Sequence, residues 1–414
     1  MPTERLVRAA RPGELGAAAA LAERAFRSRP VGSTWAAYLG DNPHLGPGDL
    51  LLALEGAEPV GLAAGLRLRA SLAGEDVPVR GLAAVAVAPE RRRAGVATAL
   101  VRAMLRAGHE RGEPLSLLFA YRLPFYRALG YGLVEARDQL RAPPGHLLAS
   151  PLRANVARFE ARKHGKALRA IYERARAGTT GQLKRDEHWW RRRVFARALE
   201  GAVYLKPGGG EPAGYALYEV DDRAPGGPQC RVLELRAASG EAVRGLLGFF
   251  ASLGDQYALV SLAVARDEAL ALVDEHGLGD APPAWAQYDP FAVTKAGAMG
   301  RVVHLARAFA AHPGARRELA RGALGLDLED PVIAEQSGAY DLELGPRGAQ
   351  LARGARAAER VALSIDRLSQ IYFGAASART LVRLGVARGS ERAARLLDEL
   401  FAGPLPFVGT LNGF

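Results

Sequence analysis

The chain has 414 residues, 49% hydrophobic and 24% charged, a composition that excludes a disordered or fibrous protein. At roughly 100–200 residues per domain the length points to two to four domains. The net charge is +11, but the arginines are dispersed along the whole chain and form no basic tail, so the excess reads as solvated helix faces and ion pairs, not as a nucleic-acid-binding stripe.

In chain order, residues 14–27 are rich in Ala, Leu and Glu with one apolar face and predict a helix. Short apolar runs at 49–54, 59–69, 81–87 and 112–121, bounded by Gly, Pro and acidic residues, predict strands. Pro89 breaks the third run, and an amphipathic helix follows at 96–105. After Pro143 and Pro144, residues 155–175 read as one or two amphipathic helices, and 185–195 (RDEHWWRRRVF) as a charged, aromatic helix. Strands are predicted at 202–205, 214–220 and 231–235, then a helix at 240–253. The last third predicts helices at 298–312, 316–324, 365–373, 376–384 and 390–401, with strands at 332–333, 340–344 and 361–365.

The sequence repeats itself weakly. GAEPVG at 56–61 recurs as GGEPAG at 209–214, each time leading into an apolar strand. The strand around Val85 recurs around Leu233, and a helix follows both. Two copies of one fold of about 150 residues are expected, followed by an unlike α+β unit. The boundaries fall at 1–140, 141–290 and 291–414.

Residues 80–106 carry the chemistry: RGLAAVAVAPERRRAGVATALVRAMLR. A strand that stops at Pro89 and feeds a glycine-containing helix start builds an anion cradle. Unpaired amides point outward there, and the helix dipole adds about half a positive charge. Gly95 lets backbone approach a phosphate, and Arg92 and Arg93 add attraction. A pyrophosphate fits this better than an acidic side chain. The segment lacks the Gly-Lys-Ser/Thr ending of a Walker loop and the G-x-G-x-x-G of a dinucleotide site.

V-x-V-x-P-x-x-R-R-x-G-V-A resembles the acetyl-CoA-binding motif of the GCN5-related N-acetyltransferases. The resemblance implies acetyl-CoA along Val85, Ala86 and Val87, with its pyrophosphate on Arg92, Arg93, Ala94, Gly95, Val96, Ala97 and Thr98. PFYRALGYG at 124–132 is similar to the family's F-Y-x-x-x-G-[FY], which implies that Tyr126 protonates the departing thiolate. General-acid help of this kind gives about 10²–10⁴ in rate. Over the whole chain, including RDEHWW, LSIDRLSQIYFGAASARTLVRLG and the aromatic end, the sequence is similar to the Eis (enhanced intracellular survival) proteins.

That likeness implies a fold of two tandem acetyltransferase (GNAT) domains followed by a sterol-carrier-protein-like α+β domain that serves as a structural lid. It also implies a homo-hexamer, acceptor amines of the aminoglycoside or lysine type, an acceptor pocket touching Phe26 and Trp35, and the C-terminal carboxylate of Phe414 as base. The apolar end PLPFVGTLNGF itself predicts a tail tucked into the protein. A free α-carboxyl, with a pKa near 3.3–3.7, needs burial or a water relay to do that work.

The second copy reads AASGEAVRGLL after its strand and lacks the Pro-x-x-Arg-x-x-Gly pattern, so it is not expected to hold CoA. Cys230, the one cysteine, lies in that copy, which leaves direct attack by the amine and no acyl-enzyme. A single cysteine excludes an intrachain disulfide and a multi-cysteine zinc site. The histidines show no H-x-H or H-E-x-x-H spacing, and no metal is expected. The first residues lack a signal-type apolar core, and no apolar run approaches ~18 residues, so the reading is a cytoplasmic protein with neither membrane nor nucleic-acid partner. The rival reading is a lipid- or sterol-binding protein acting through the third domain, with a degenerate acetyltransferase domain.

Overall fold

The computed structural model describes residues 5–26, 28–266, 268, 272, 292–316, 322–345 and 348–414. The first unit runs β1 (Arg5–Ala9), α1 (Leu15–Ala25), α2 (Trp35–Gly40), β2 (Leu50–Glu55), β3 (Glu58–Leu72), β4 (Glu75–Val87), α3 (Val96–Glu110), β5 (Leu115–Phe119), α4 (Leu123–Arg127) and β6 (Gly132–Leu133). Alternation along β3 decides what covers each face. Gly61 lies under Val96 and Leu100 of α3, and Gly65 under Met104, where a Cβ would collide with those side chains. On the other face Leu62 and Ala64 are fully buried with Leu21 of α1 and Leu39 of α2.

The second unit has β7 (Ala136–Ala142), β8 (Val156–Arg158), α5 (Ala161–Arg176), α6 (Glu187–Trp189, widening into a π turn through Val194), β9 (Glu200–Leu205), β10 (Pro212–Asp221), β11 (Gln229–Ala237), α7 (Gly240–Ala251), β12 (Leu259–Ala265) and β13 (Ala292–Ala296). The repeat seen in the sequence is a repeat of architecture. GAEPVG and GGEPAG each turn one hairpin, β2–β3 and β9–β10. The next strand in each copy is bulged: β4 between Ala83 and Ala86, and β11 between Val232 and Glu234. A helix then leads to a strand that pairs in parallel, β5 on β4 and β12 on β11.

The two sheets exchange strands. β14 (Ala298–Val302) enters the first sheet between β5 and β6, giving the order β1-β2-β3-β4-β5-β14-β6. β7, which follows β6 directly in the chain, pairs between β13 and β12 in the second sheet, ordered β13-β7-β12-β11-β10-β9-β8. This corrects the helix expected over 298–312: only α8 (Leu305–Ala311) is helical. The first five residues take the β5 edge, where all five are buried and their backbone groups complete the ladder. Arg301 lies inside, fully buried. It donates to both carboxylate oxygens of Asp330 at 2.7 Å and to the Leu129 carbonyl at 2.6 Å.

The third unit is a five-stranded sheet of β15 (Gly322–Glu329), β16 (Gly338–Gly345), β17 (Gly348–Arg353), β18 (Arg360–Ser364) and β19 (Arg388–Gly389), ordered β17-β16-β15-β18-β19. Its helices α9 (Ile365–Tyr372), α10 (Ala378–Arg383) and α11 (Glu391–Leu400) fall where the sequence placed them. The helix expected over 316–324 is corrected at its end: from Gly322 the chain is β15, and residues 317–321 lie outside the described ones. The strand expected at 332–333 is a turn, because Asp330 Oδ1 takes the amides of Val332 and Ile333 at 2.9 Å each, the donors a ladder needs.

Candidate active site

β4 and β5 pair only at Val79–Leu115, Arg80–Ser116 and Gly81–Leu117. Beyond Gly81 they part. The bulge in β4, with Ala84 at φ +49°, turns its end away while β3 stays paired on its other edge. Val85, Ala86 and Val87 therefore carry backbone groups on the β5 side with no ladder partner. Val85 and Val87 are half-buried, and Ala86 is buried in the layer that holds α1 and α2.

The cleft is flanked by the start of α3. After a short turn, Pro89–Arg91, the chain passes Arg93 at φ +64° and Gly95 at φ +78°, both left-handed. Gly95 is the N-cap and supplies no side chain, so the amides of the first turn have no acceptor within the helix. A Cβ on Gly95 would meet nothing nearer than Arg5 Nη1 at 3.9 Å. Backbone conformation, not crowding by protein, demands the glycine. The loop is stapled from behind: Arg91 Nε reaches Glu55 at 2.8 Å, Arg5 reaches Glu55 at 3.1 Å and the Ala94 carbonyl at 2.9 Å, and Arg92 reaches the Ala25 carbonyl at 3.2 Å. Hydrogen bonds from Arg5 and Arg91, with their charge, hold the Glu55 carboxyl below its ordinary range. Residues 91–95 remain exposed, so the stapled loop faces solvent with its cradle open.

The corresponding helix of the second unit is closed. Its N-cap, Ser239, accepts from the Ala242 amide at 3.3 Å, and Glu241 occupies the first turn. A hydroxyl and a carboxylate thus stand where the first copy presents bare amides. Cys230 is fully buried there, and burial pushes its thiol up to about 12.

Tyr126 sits on α4, half-buried, with its ring edge-on to Phe125 at 4.8 Å and Tyr131 at 6.0 Å. Burial pushes its hydroxyl up to about 12, so it stays protonated near neutrality.

Phe414 comes to the point where β4 and β5 part. Its ring lies edge-on to Phe119 at 5.5 Å, and a Cβ on Gly81 would stand 2.9 Å from it. The tail is carried there by buried polar contacts. Gln182 donates to the Phe407 carbonyl at 2.7 Å, and Glu135 accepts from the Val408 and Gly409 amides at 3.1 and 3.3 Å. Trp189 donates to the Leu411 carbonyl at 3.2 Å. Asn412, fully buried, donates to Gln182 at 2.9 Å and to the Val408 carbonyl at 2.6 Å, and accepts from Arg185 at 2.8 Å. Arg185 in turn makes a two-toothed pair with Glu234 at 2.9 and 2.6 Å. Burial opposes ionisation of Glu234, but the Arg185 charge outweighs it and leaves the carboxyl below its usual range. None of Glu135, Arg185, Glu234 or Asn412 stands out in the sequence. Asp, Glu and Arg are almost never fully buried unless paired, and the pairing is a property of the fold.

Phe26 and Trp35 stack at 4.7 Å, and Trp35 meets Tyr38 edge-on at 5.6 Å. They belong to the apolar layer with Ala86 and Ala88, directly behind the end of β4. Trp35 is 7% exposed, so most of its surface is packing.

Comparison with known proteins agrees with this construction. Acetyltransferase (GNAT) domain models match residues 6–134 and 181–277, and a sterol carrier protein domain model matches 305–409. The chain is 29% identical to N-acetyltransferase Eis of Mycobacterium tuberculosis in an alignment 371 residues long that covers 85% of each chain. Its fold matches a GCN5-related N-acetyltransferase from Anabaena variabilis with TM-score 0.81 at 21% identity, covering 99% of this chain and 100% of that one. Eis1 from Mycobacterium abscessus matches with TM-score 0.76 at 22% identity, again over 99% and 100% of the two chains. The lipid-carrier reading gains nothing from these relatives, which are acetyltransferases by name. Two tandem acetyltransferase (GNAT) domains, the first with an open cleft and the second closed, followed by a sterol carrier protein domain, make this chain a GNAT-type N-acetyltransferase, similar over most of its length to N-acetyltransferase Eis.

Proposed function

We propose that the protein transfers an acetyl group from acetyl-CoA to a primary amine in the cleft of the first unit. One observation carries this: two parallel strands part after Gly81, an uncapped helix start flanks the opening, and the last residue of the chain reaches its apex. The unpaired edge at Val85, Ala86 and Val87 suits the amide-bearing arm of CoA. The amides of Arg92, Arg93, Ala94, Gly95, Val96, Ala97 and Thr98, with the two guanidinium groups, suit its pyrophosphate.

The amine nitrogen attacks the thioester carbonyl directly. As the C–S bond breaks, the Tyr126 hydroxyl gives its proton to the leaving sulfur, and the carboxylate of Phe414 takes one from the ammonium, through water if need be. An acyl-enzyme through Cys230 is disfavoured, because the thiol is buried in the other unit and stays protonated. Phe26 and Trp35 flank the acceptor side. Aminoglycosides, other polyamines and lysine side chains are the acceptor classes that the family likeness supports. The same likeness supports a homo-hexamer and domain limits near residues 140 and 290, and a lone, unpaired Cys230 suits a reducing, cytoplasmic setting; among the described residues no helix is long and apolar enough to cross a membrane.

The test is calorimetry with acetyl-CoA, joined to CoA release with a panel of aminoglycosides, polyamines and lysine peptides. Binding in the micromolar range and turnover with at least one amine are expected. Absence of acetyl-CoA binding overturns the reading.

A further inference from the structure

We propose that the preferred acceptor carries a carboxylate as well as its amine, and that Arg192 and Arg193 receive that carboxylate in a pocket beside the chain terminus. The inference rests on the acetyltransferase reading and narrows its acceptor class away from polycations.

The pocket is walled by Tyr38 of α2, Leu66 of β3, His44, His188 and Trp189, and by the π turn that carries Arg192 and Arg193. It adjoins the reaction centre in two ways. Leu66 is the ladder partner of Gly81, so both point to one face of the sheet, and the Phe414 ring covers Gly81 on that face. Trp189 also donates its indole proton to the Leu411 carbonyl, three residues before the end.

Two guanidinium groups line this pocket without a carboxylate, as half-buried Arg137 and Arg236 also stand elsewhere. The buried arginines, by contrast, are each paired: Arg80 with Asp49 and Glu113, Arg176 with Asp76, Arg185 with Glu234, Arg301 with Asp330. Among the described residues Arg192 and Arg193 have no carboxylate partner. Arg193 is half-buried, its guanidinium 5.1 Å from the centre of the Tyr38 ring and 5.7 Å from that of Trp189. Arg192, also half-buried, donates only to the Gly32 carbonyl, at 3.3 Å.

The carboxylates nearby do not offset them. Asp186 accepts from the Trp189 amide at 2.8 Å and lies 3.4 Å from His44 Nε2, without reaching either arginine. Asp41 lines the rim and is exposed. Of the histidines, His188 is held below its ordinary pKa by burial.

A guanidinium held against aromatic faces has already lost much of its rotamer freedom, and it pairs with a planar carboxylate through charge-assisted hydrogen bonds. A polycation entering the same pocket brings like charges against two arginines, opposed only by the exposed carboxylates of Asp41 and Asp186. The lining thus selects for an amine with a negative group at its other end.

The test compares aminohexanoate with its carboxamide, and aminooctanoate with its carboxamide, as acceptors at saturating acetyl-CoA, with spermidine as the polycation. Each acid is expected to exceed its amide at least tenfold in kcat/KM, the difference lying in KM. Arg192→Gln and Arg193→Gln are expected to raise KM for the acids, leave the amides unchanged and leave acetyl-CoA affinity unchanged by calorimetry. Equal kcat/KM for acid and amide in the wild-type protein, or spermidine as the best acceptor, overturns this inference while leaving acetyl transfer intact. Failure of acetyl-CoA to bind overturns acetyl transfer and this inference together.

Discussion

The ring of Phe414 occupies the space that a side chain at Gly81 would fill, 2.9 Å from an ideal Cβ. Phe414 and the last residue of β4 that pairs with β5 are thus in van der Waals contact. Gly81→Ala presses on Leu68 Cδ1, 2.7 Å from the new Cβ, and on the Phe414 ring, and so displaces the ring and its carboxylate. We expect turnover to fall by roughly tenfold or more, because small misplacements at a reacting centre are costly. Acetyl-CoA affinity by calorimetry should stay within about threefold, since the α3 cradle is untouched. A C-terminal extension should behave alike, and full activity in a tagged protein removes Phe414 from the mechanism.

Tyr126→Phe keeps the ring packing against Phe125 and Tyr131 and removes only the hydroxyl that would donate the proton. Turnover should fall about 100-fold or more, with CoA affinity unchanged. Since burial raises the hydroxyl to about 12, its acid form persists across the usual assay range. The kcat profile should therefore show no alkaline fall from this group below about pH 11. Unchanged turnover in the variant argues against the assignment.

Gly95→Ala tests the cradle without touching charge. The new methyl has room, so the cost is the left-handed backbone, about 1–2 kcal/mol. Acetyl-CoA affinity should drop about tenfold as the loop relaxes. In the second unit Ser239→Ala should cost about 1 kcal/mol of stability through loss of the cap and leave acetyl-CoA binding unaltered. Calorimetry and urea unfolding read the two effects.

Asp330→Asn strands the Arg301 charge in the interior. A loss of about 3–5 kcal/mol is expected in urea unfolding. Arg356→Ala is the contrast: that side chain is 85% exposed and 3.6 Å from Asp341, so its loss should fall within about 0.5 kcal/mol.

Acid should loosen the anchor of the tail. The Glu234 carboxyl titrates below its ordinary range when folded, with Arg185 the stabilising partner. A depressed carboxylate stabilises above its unfolded pKa, about 4.3, and that contribution disappears as pH falls through the lower folded value. Melting temperature should hold from about pH 8 to 5 and then fall, with a shallower fall in Glu234→Gln. A protein that gains stability on acidification from about pH 5 to 3 contradicts this pairing.

The cleft could be read from one stretch of sequence because its parts are local. Pro89, Arg92, Gly95 and the helix after them are neighbours in the chain, and their backbone geometry follows from residue type. The hexapeptide repeat was legible for the same reason: it is a turn. The strand at 298–302 was not, since AMGRV has no alternation of its own and is fixed by the open edge of β5 far away in sequence. The turn at Val332 and Ile333 was hidden likewise, because an apolar pair gives no sign that Asp330 will take its amides. The network of Glu135, Arg185, Glu234 and Asn412 joins four segments, and no periodicity records such a meeting.

The placement of β14 has a consequence for biosynthesis. A ribosome that has released the first 134 residues has delivered the whole β4–α3 cleft but not the strand that lies between β5 and β6. Until residue 302 emerges, the β5 edge stays open and prone to pairing with other nascent chains. Excision of the first unit for crystallography or fusion should therefore give insoluble material, whereas co-expressing it with the remaining fragment should restore a soluble pair.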